Sequence, residues 1–145
     1  VAAATGSDRR NQPGAGAAGG VGFAAVAVLG GTLCPGVDLV LDLMHFAEEV
    51  KRADLVVTGE GSLDEQTLRG KAPAGVAAAA RAAGVPTIAV AGRATIDAAQ
   101  LRGAGFEAVH TLVEEASRPD EPFTDPGPLL RRIGARIADR LDVLT

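Results

Sequence analysis

The richest run of chemically capable side chains lies at residues 59–71, GEGSLDEQTLRGK. Glu60 and Asp64 supply carboxylates, Gln66 and Thr67 neutral hydrogen-bonding groups, and Lys71 a cation. Gly59 and Gly61 flank Glu60, which lets the backbone turn sharply there and approach a ligand. Lys71 opens a helical stretch against the usual preference, because the amino end of a helix already carries partial positive charge. Two positive elements meeting at one point suit an anion held between them, with phosphate the obvious candidate. The plainer alternative is a solvated loop in which Asp64 and Lys71 form a surface ion pair.

A second glycine cluster, residues 13–20, PGAGAAGG, opens another apolar stretch. Gly14, Gly16 and Gly19 have the spacing of a dinucleotide fingerprint, with Gly20 following. No strand pattern precedes them, however, and no Lys-Ser/Thr pair follows as a P-loop requires. Two readings stay open: amides at a helix start that meet an anion, or small residues that allow close helix packing. Arg93, after Ala91-Gly92, is a third candidate for a phosphate contact, although a lone loop arginine also suits solvent. Asp120, Glu121 and Asp125 read as solvated surface and receive no role. Cys34 lies between Leu33 and Pro35 with no histidine nearby, so a buried apolar thiol is expected rather than a nucleophile. His45 and His110 are far apart on apolar segments, so no histidine metal site is expected, and metal ligands are left unassigned.

These groups must be positioned by the surrounding elements. Residues 54–58, DLVVT, form a short β-branched run ending at Gly59, as in a buried parallel strand. Residues 86–91 and 106–112 read as further strands. Helices are expected over 72–83, closed by Gly84, over 97–102 and over 129–141. The last places Leu129, Leu130, Ile133, Ile137 and Leu141 on one face. Residues 119–128 hold four prolines and read as an irregular loop, and 103–105 as a turn. Upstream, helices are expected over 17–29, 37–44 and 46–52, with a turn at Cys34-Pro35-Gly36. Strand–helix alternation implies an α/β fold, a parallel Rossmann-like sheet flanked by helices. Ligands in such sheets bind beyond the carboxyl ends of the strands, where residues 59–71 fall. Three strands make an incomplete sheet. Residues 1–52 are therefore assigned to a helical part of a second domain, and 53–145 to the carboxyl-terminal part of the Rossmann-like one.

The 145 residues are 47% hydrophobic and 22% charged, which excludes a disordered tail. No apolar run reaches the roughly 18 residues of a membrane span, and no signal-peptide pattern opens the chain. The formal net charge is -4, the only aromatics are four phenylalanines, and no basic stripe is present, so nucleic acid is an unsuited partner. A single cysteine fits a reducing cytoplasm. Sparse lysine and abundant alanine and arginine suggest a bacterial coding sequence. The chain starts at Val1 and its only methionine is Met44, so a piece of a longer protein is expected.

The block PGAGAAGGVGF at residues 13–23, together with DLVVTGEGSLDEQTLRGKAPAGV at 54–76 and the strand PTIAVAG, resembles the bacterial glycerate kinase family. The likeness covers essentially the whole chain but only the carboxyl-terminal part of the family. It implies two domains, one Rossmann-like and one inserted, with the site in the cleft between them. It also implies ATP- and Mg²⁺-dependent phosphoryl transfer to a hydroxyl of D-glycerate, commonly the 2-hydroxyl, giving 2-phosphoglycerate. Lys71 would then face the moving phosphoryl group, and Asp64 the attacking hydroxyl or metal, with Glu60 as an alternative contact. Gly14, Gly16, Gly19 and Gly20 would line the cleft, with Gly59, Gly61, Gln66 and Thr67 around the phosphate. Some relatives carry Arg at Ser62, which argues against Ser62 as an essential nucleophile. The remainder of the polypeptide is the implied partner, a homo-oligomer stays open, and the isolated 145 residues are expected to be inactive. The competing reading is a non-catalytic phosphate-ligand-binding module or degenerate homologue.

Overall fold

The structure, a computed structural model, describes residue 6 and residues 8–141. The outer ends of both expected domain ranges lie outside them. By contacts the chain divides into two compact units, Val1–Gly36 and Val37–Thr145.

In the first unit, α1 (Ala17–Leu29) spans the expected helix, but its opening is not regular. Ala18, Gly19 and Gly20 all have positive φ, so the regular turns begin only after Gly20. The segment before them folds back on the helix. Phe23 N–H donates to Ala15 O at 2.9 Å, and a Cβ on Gly22 would come within 2.5 Å of Gly14 O. Small residues thus do serve close packing here. Cys34 is exposed, which corrects the expected buried thiol: residues 30–35 form no regular element, so no apolar layer covers it.

From Val37 the second unit holds the rest of α2 (Gly36–Leu43), then α3 (Phe46–Glu49) and a 3₁₀ turn at Val50–Arg52. Residues 37–52, grouped with the first part because that stretch offers helices but no strand pattern, fall in the same compact unit as the sheet. Val50 is buried with Ala80 and Val85. A Cβ at Gly75 would lie 2.6 Å from a methyl of Val37, so glycine lets these segments approach.

Among the described residues, β1 (Val56–Leu63), β2 (Thr87–Ala94) and β3 (Ala108–Thr111) form one parallel sheet in the order β1-β2-β3. Helices cover both faces, as the strand–helix alternation implies. On one side α4 (Ala72–Ala82) and α5 (Ala98–Gly103) bring Ala77 and Leu101 against Ala89, Ala91 and Phe106. On the other, α6 (Leu112–Glu115) and α8 (Pro126–Leu141) bring Leu112, Leu129, Ile133 and Ile137 against Ile88. Ile88 and Ala89 are successive, so β2 is covered on both sides, which explains its unbroken apolar run. Leu130 departs from the expected stripe of α8 and is half-exposed. The expected loop at 119–128 instead holds a short helix, α7 (Glu121–Thr124), and the start of α8. Prolines at 122 and 126 sit in first helical turns, where a missing N–H costs nothing.

Strands β1 and β2 both run beyond their expected ends, and this decides the geometry of the site. Residues 59–63, expected as loop, instead continue the strand: Gly59, Glu60, Ser62 and Leu63 pair with Val90, Ala91, Arg93 and Ala94. Gly59 and Gly61 therefore do not make a turn, and neither has positive φ. Gly59 instead permits close pairing, because a Cβ there would overlap the Val90 carbonyl oxygen. Side-chain alternation also breaks near Gly61. Leu63 joins the cluster of Ala89 and Ala91, although strict alternation from Glu60 would place it on the opposite face. A Cβ on Gly92 would lie 2.5 Å from Gly61 O, so the change of face falls where two glycine backbones meet.

Candidate active site

The chain leaves β1 at Leu63 and turns at once. Asp64 makes the turn: its Oδ1 accepts from the amides of Gln66 at 2.8 Å and Thr67 at 3.2 Å. Such side-chain-to-backbone bonds are the usual reason aspartate starts turns. A 3₁₀ turn at Thr67–Arg69 follows, and Gly70, at φ +97°, redirects the chain into α4. Lys71 caps α4 in an extended conformation, with Pro73 in the first turn. Its side chain does not cap the helix but reaches back toward β1.

That return brings together four of the residues singled out from the sequence. Lys71 Nζ lies 3.5 Å from Asp64 Oδ1 and 3.8 Å from Glu60 Oε2. The Asp64–Lys71 ion pair allowed by the plainer reading is therefore present, with Glu60 added to it. Thr67 is fully buried, and its hydroxyl accepts from Asp64 N–H at 3.1 Å while donating to Glu60 Oε1. One buried hydroxyl thus ties the strand carboxylate to the turn. The Lys71 side chain is 38% exposed and that of Glu60 21%, so the cluster sits at the surface with its ammonium open to an incoming group.

Partial removal from water pushes the Asp64 carboxyl upward, but the Gln66 and Thr67 amides and the Lys71 ammonium outweigh it. The result lies below the usual carboxylate range. A depressed folded-state value stabilises the fold above the unfolded value of about 4, and that contribution is lost as pH falls through the folded value. Urea denaturation is expected to find the wild type more stable than Asp64→Asn at pH 7, with the gap closing below about pH 4. A gap independent of pH would show that Asp64 acts through shape rather than charge.

The remaining candidates fall elsewhere. Gln66 is exposed and contributes its amide to the turn. Gly14, Gly16, Gly19 and Gly20 belong to the first unit, where Gly14, Gly19 and Gly20 have positive φ. Arg93 is exposed, and its Nε–H donates to Ser62 Oγ at 3.3 Å. Glu121, given no role from the sequence, accepts the Ser117 amide at 2.8 Å and lies 3.8 Å from Arg132. Sequence reasoning passed over a cleft of about 590 Å³ at the strand ends, bounded by Glu60, Arg93, Val113, Phe123 and Leu130. Its one signal was a phenylalanine set between closely spaced prolines.

Two oxygen-rich carboxylates beside a cation fit Mg²⁺ in the way that ion is usually held, by one or two carboxylates with substrate phosphates completing its shell. Among the described residues no group of three or more His, Cys, Asp or Glu side chains could form an all-protein cage. No described helix is long and apolar enough to cross a membrane.

The likeness to known proteins is extensive. A glycerate kinase of Halalkalibacterium halodurans is 44% identical over 133 residues, covering 92% of this chain and 35% of the relative. The glycerate 2-kinase of Escherichia coli is 36% identical, covering 94% of this chain and 36% of its own length. A solved structure of a Salmonella typhimurium LT2 protein provisionally assigned as glycerate kinase 2 matches with a TM-score of 0.57 and 39% identity over 76% of this chain and 28% of that one. The chain thus spans about a third of the length of the curated relatives it matches. The model of the "Glycerate kinase family" matches residues 1–142, and the chain belongs to that family.

Proposed function

We propose that the protein to which this chain belongs phosphorylates D-glycerate from ATP, at the 2-hydroxyl. The carrying observation is the convergence of Glu60, Asp64 and Lys71 at the carboxyl end of β1, tied by the buried Thr67. In this reading the glycerate hydroxyl oxygen bonds to the γ-phosphorus as the bond to the β–γ bridging oxygen breaks. ADP leaves with the bridging oxygen, and the hydroxyl proton passes to a carboxylate and then to water.

Such a transfer needs positive charge around the moving group more than it needs covalent help from the protein. Lys71 supplies that charge from a backbone position fixed by Gly70 and α4. Glu60 is assigned the proton by position: it stands near the carboxyl end of β1, 3.8 Å from the ammonium that would face the phosphoryl group. Asp64 holds the turn through two amides, and its charge keeps Lys71 near Glu60. Mg²⁺, held by Asp64 with the phosphates, would offset charge on the transferring group. The lone cysteine supports a cytoplasmic setting.

The test is ADP release by the full-length protein with ATP, Mg²⁺ and D-glycerate, with the product resolved by phosphorus NMR. Turnover to 2-phosphoglycerate is expected. Absence of turnover would leave the chain a phosphate-binding module without catalysis. The product 3-phosphoglycerate would keep the kinase and correct the hydroxyl.

A further inference from the structure

The cleft missed by sequence reasoning lies beside the acid–lysine cluster and differs from it in character. Glu60 borders both. Beyond it the walls become apolar, with Val90 on the strand side and Val113, Pro122, Phe123 and Leu130 opposite. Arg93 is the only cation in the lining, and among the described residues no carboxylate pairs with it. The break in alternation at Gly61 and Gly92 accounts for its position: Arg93 falls after the change of face, paired with Ser62.

Phe123 makes this more than a generic apolar hollow. It is 82% exposed, so its ring is open to an incoming group. The turn that carries it is firmly held. Phe123 N–H and Thr124 N–H donate to Asp120 O at 3.0 and 3.1 Å, and the Thr124 hydroxyl donates to the same oxygen at 3.0 Å. Pro122, the residue before it, is buried, and Pro126 starts α8 just beyond. A flat ring is thus presented at the cleft by backbone already ordered, so covering it costs little further ordering. A planar apolar group against Phe123, with an anionic group at Arg93, matches these walls, and Glu60 joins the cleft to the acid–lysine cluster. The volume of about 590 Å³ also falls in the ligand-pocket range.

We propose that this cleft is the nucleotide subsite: the purine base lies on Phe123 among Val113 and Leu130, and Arg93 receives a phosphate of the same molecule. The assignment rests on the kinase reading for its choice of occupant, but it can be tested apart from turnover. Calorimetry on the full-length protein would measure ADP and adenosine binding to the wild type, Phe123→Ala and Arg93→Gln, with circular dichroism to verify folding. Phe123→Ala is expected to weaken ADP and adenosine alike by about fivefold or more, as loss of a base-stacking ring does. Arg93→Gln is expected to weaken ADP by about tenfold while leaving adenosine within about twofold, because only the phosphate meets the guanidinium.

Unchanged ADP affinity in both variants would overturn the assignment. So would a Phe123→Ala variant that binds ADP normally but melts earlier, since a protein segment would then be what covers the ring. Cleft-dependent ADP binding without glycerate phosphorylation would sustain the subsite and sink the kinase reading. Turnover with ADP binding indifferent to both substitutions would do the reverse.

Discussion

Lys71→Ala in the full-length protein is expected to lower kcat for glycerate phosphorylation by about 10²- to 10³-fold, the usual cost of removing one preorganised electrostatic contact from a transition state. KM should move much less, because the ammonium acts on charge that is spread over the transferring group as the reaction proceeds. Global stability should change little, since the side chain is 38% exposed and its ion pairs at 3.5 and 3.8 Å are long. Asp64→Asn separates charge from shape at the same turn. An asparagine oxygen still accepts the Gln66 and Thr67 amides, so the turn survives while Lys71 loses one of its two carboxylates. A kcat loss smaller than that of Lys71→Ala is expected, about tenfold to a hundredfold. Near-normal rates in both variants would remove the cluster from the mechanism while leaving family membership untouched.

The second large effect concerns folding. Gly59→Val is expected to cost about 3 kcal/mol or more of stability, at the upper end of overpacking, because its Cβ would overlap the Val90 carbonyl oxygen on β2. That oxygen is backbone, so no rotamer change relieves the clash. Relief requires β1 and β2 to separate at the pairs Thr58↔Ala89 and Glu60↔Ala91, which also displaces Glu60 from Lys71. Gly61→Ala is the control. No atom lies within 4 Å of its added Cβ and its φ is not positive, so a change within about 0.5 kcal/mol is expected. Urea midpoints with an unchanged slope would measure both. A Gly59→Val protein as stable as the wild type would show that the two strands do not approach so closely.

That contrast marks the boundary between what local pattern reveals and what it hides. Both glycines read from the sequence as hinges around Glu60. In the structure they lie in an extended strand, one because a partner carbonyl leaves no room for a side chain, the other where the strand changes face. Neither reason is local: each depends on β2, some thirty residues away in the register Ser62↔Arg93. A Gly-Glu-Gly-Ser segment has little strand propensity of its own, so its pairing cannot be read from composition. The cleft escaped for the same reason. Glu60, Arg93, Val113 and Phe123 come from β1, β2, α6 and α7, and no periodicity links them.

The sequence by itself determined the order and type of the principal elements, the parallel sheet with helices on both faces, and the membership of the acid–lysine cluster. Those follow from short-range facts: β-branched runs, helical spacing of apolar side chains, glycine and proline punctuation, and charged groups within a dozen residues of one another. Only the tertiary structure decided where β1 and β2 end, that Thr67 is the buried link between Glu60 and the turn, and that Arg93 and Phe123 border one cleft. Those follow from hydrogen bonds and steric limits between segments distant in the chain, which exist only once the sheet has formed.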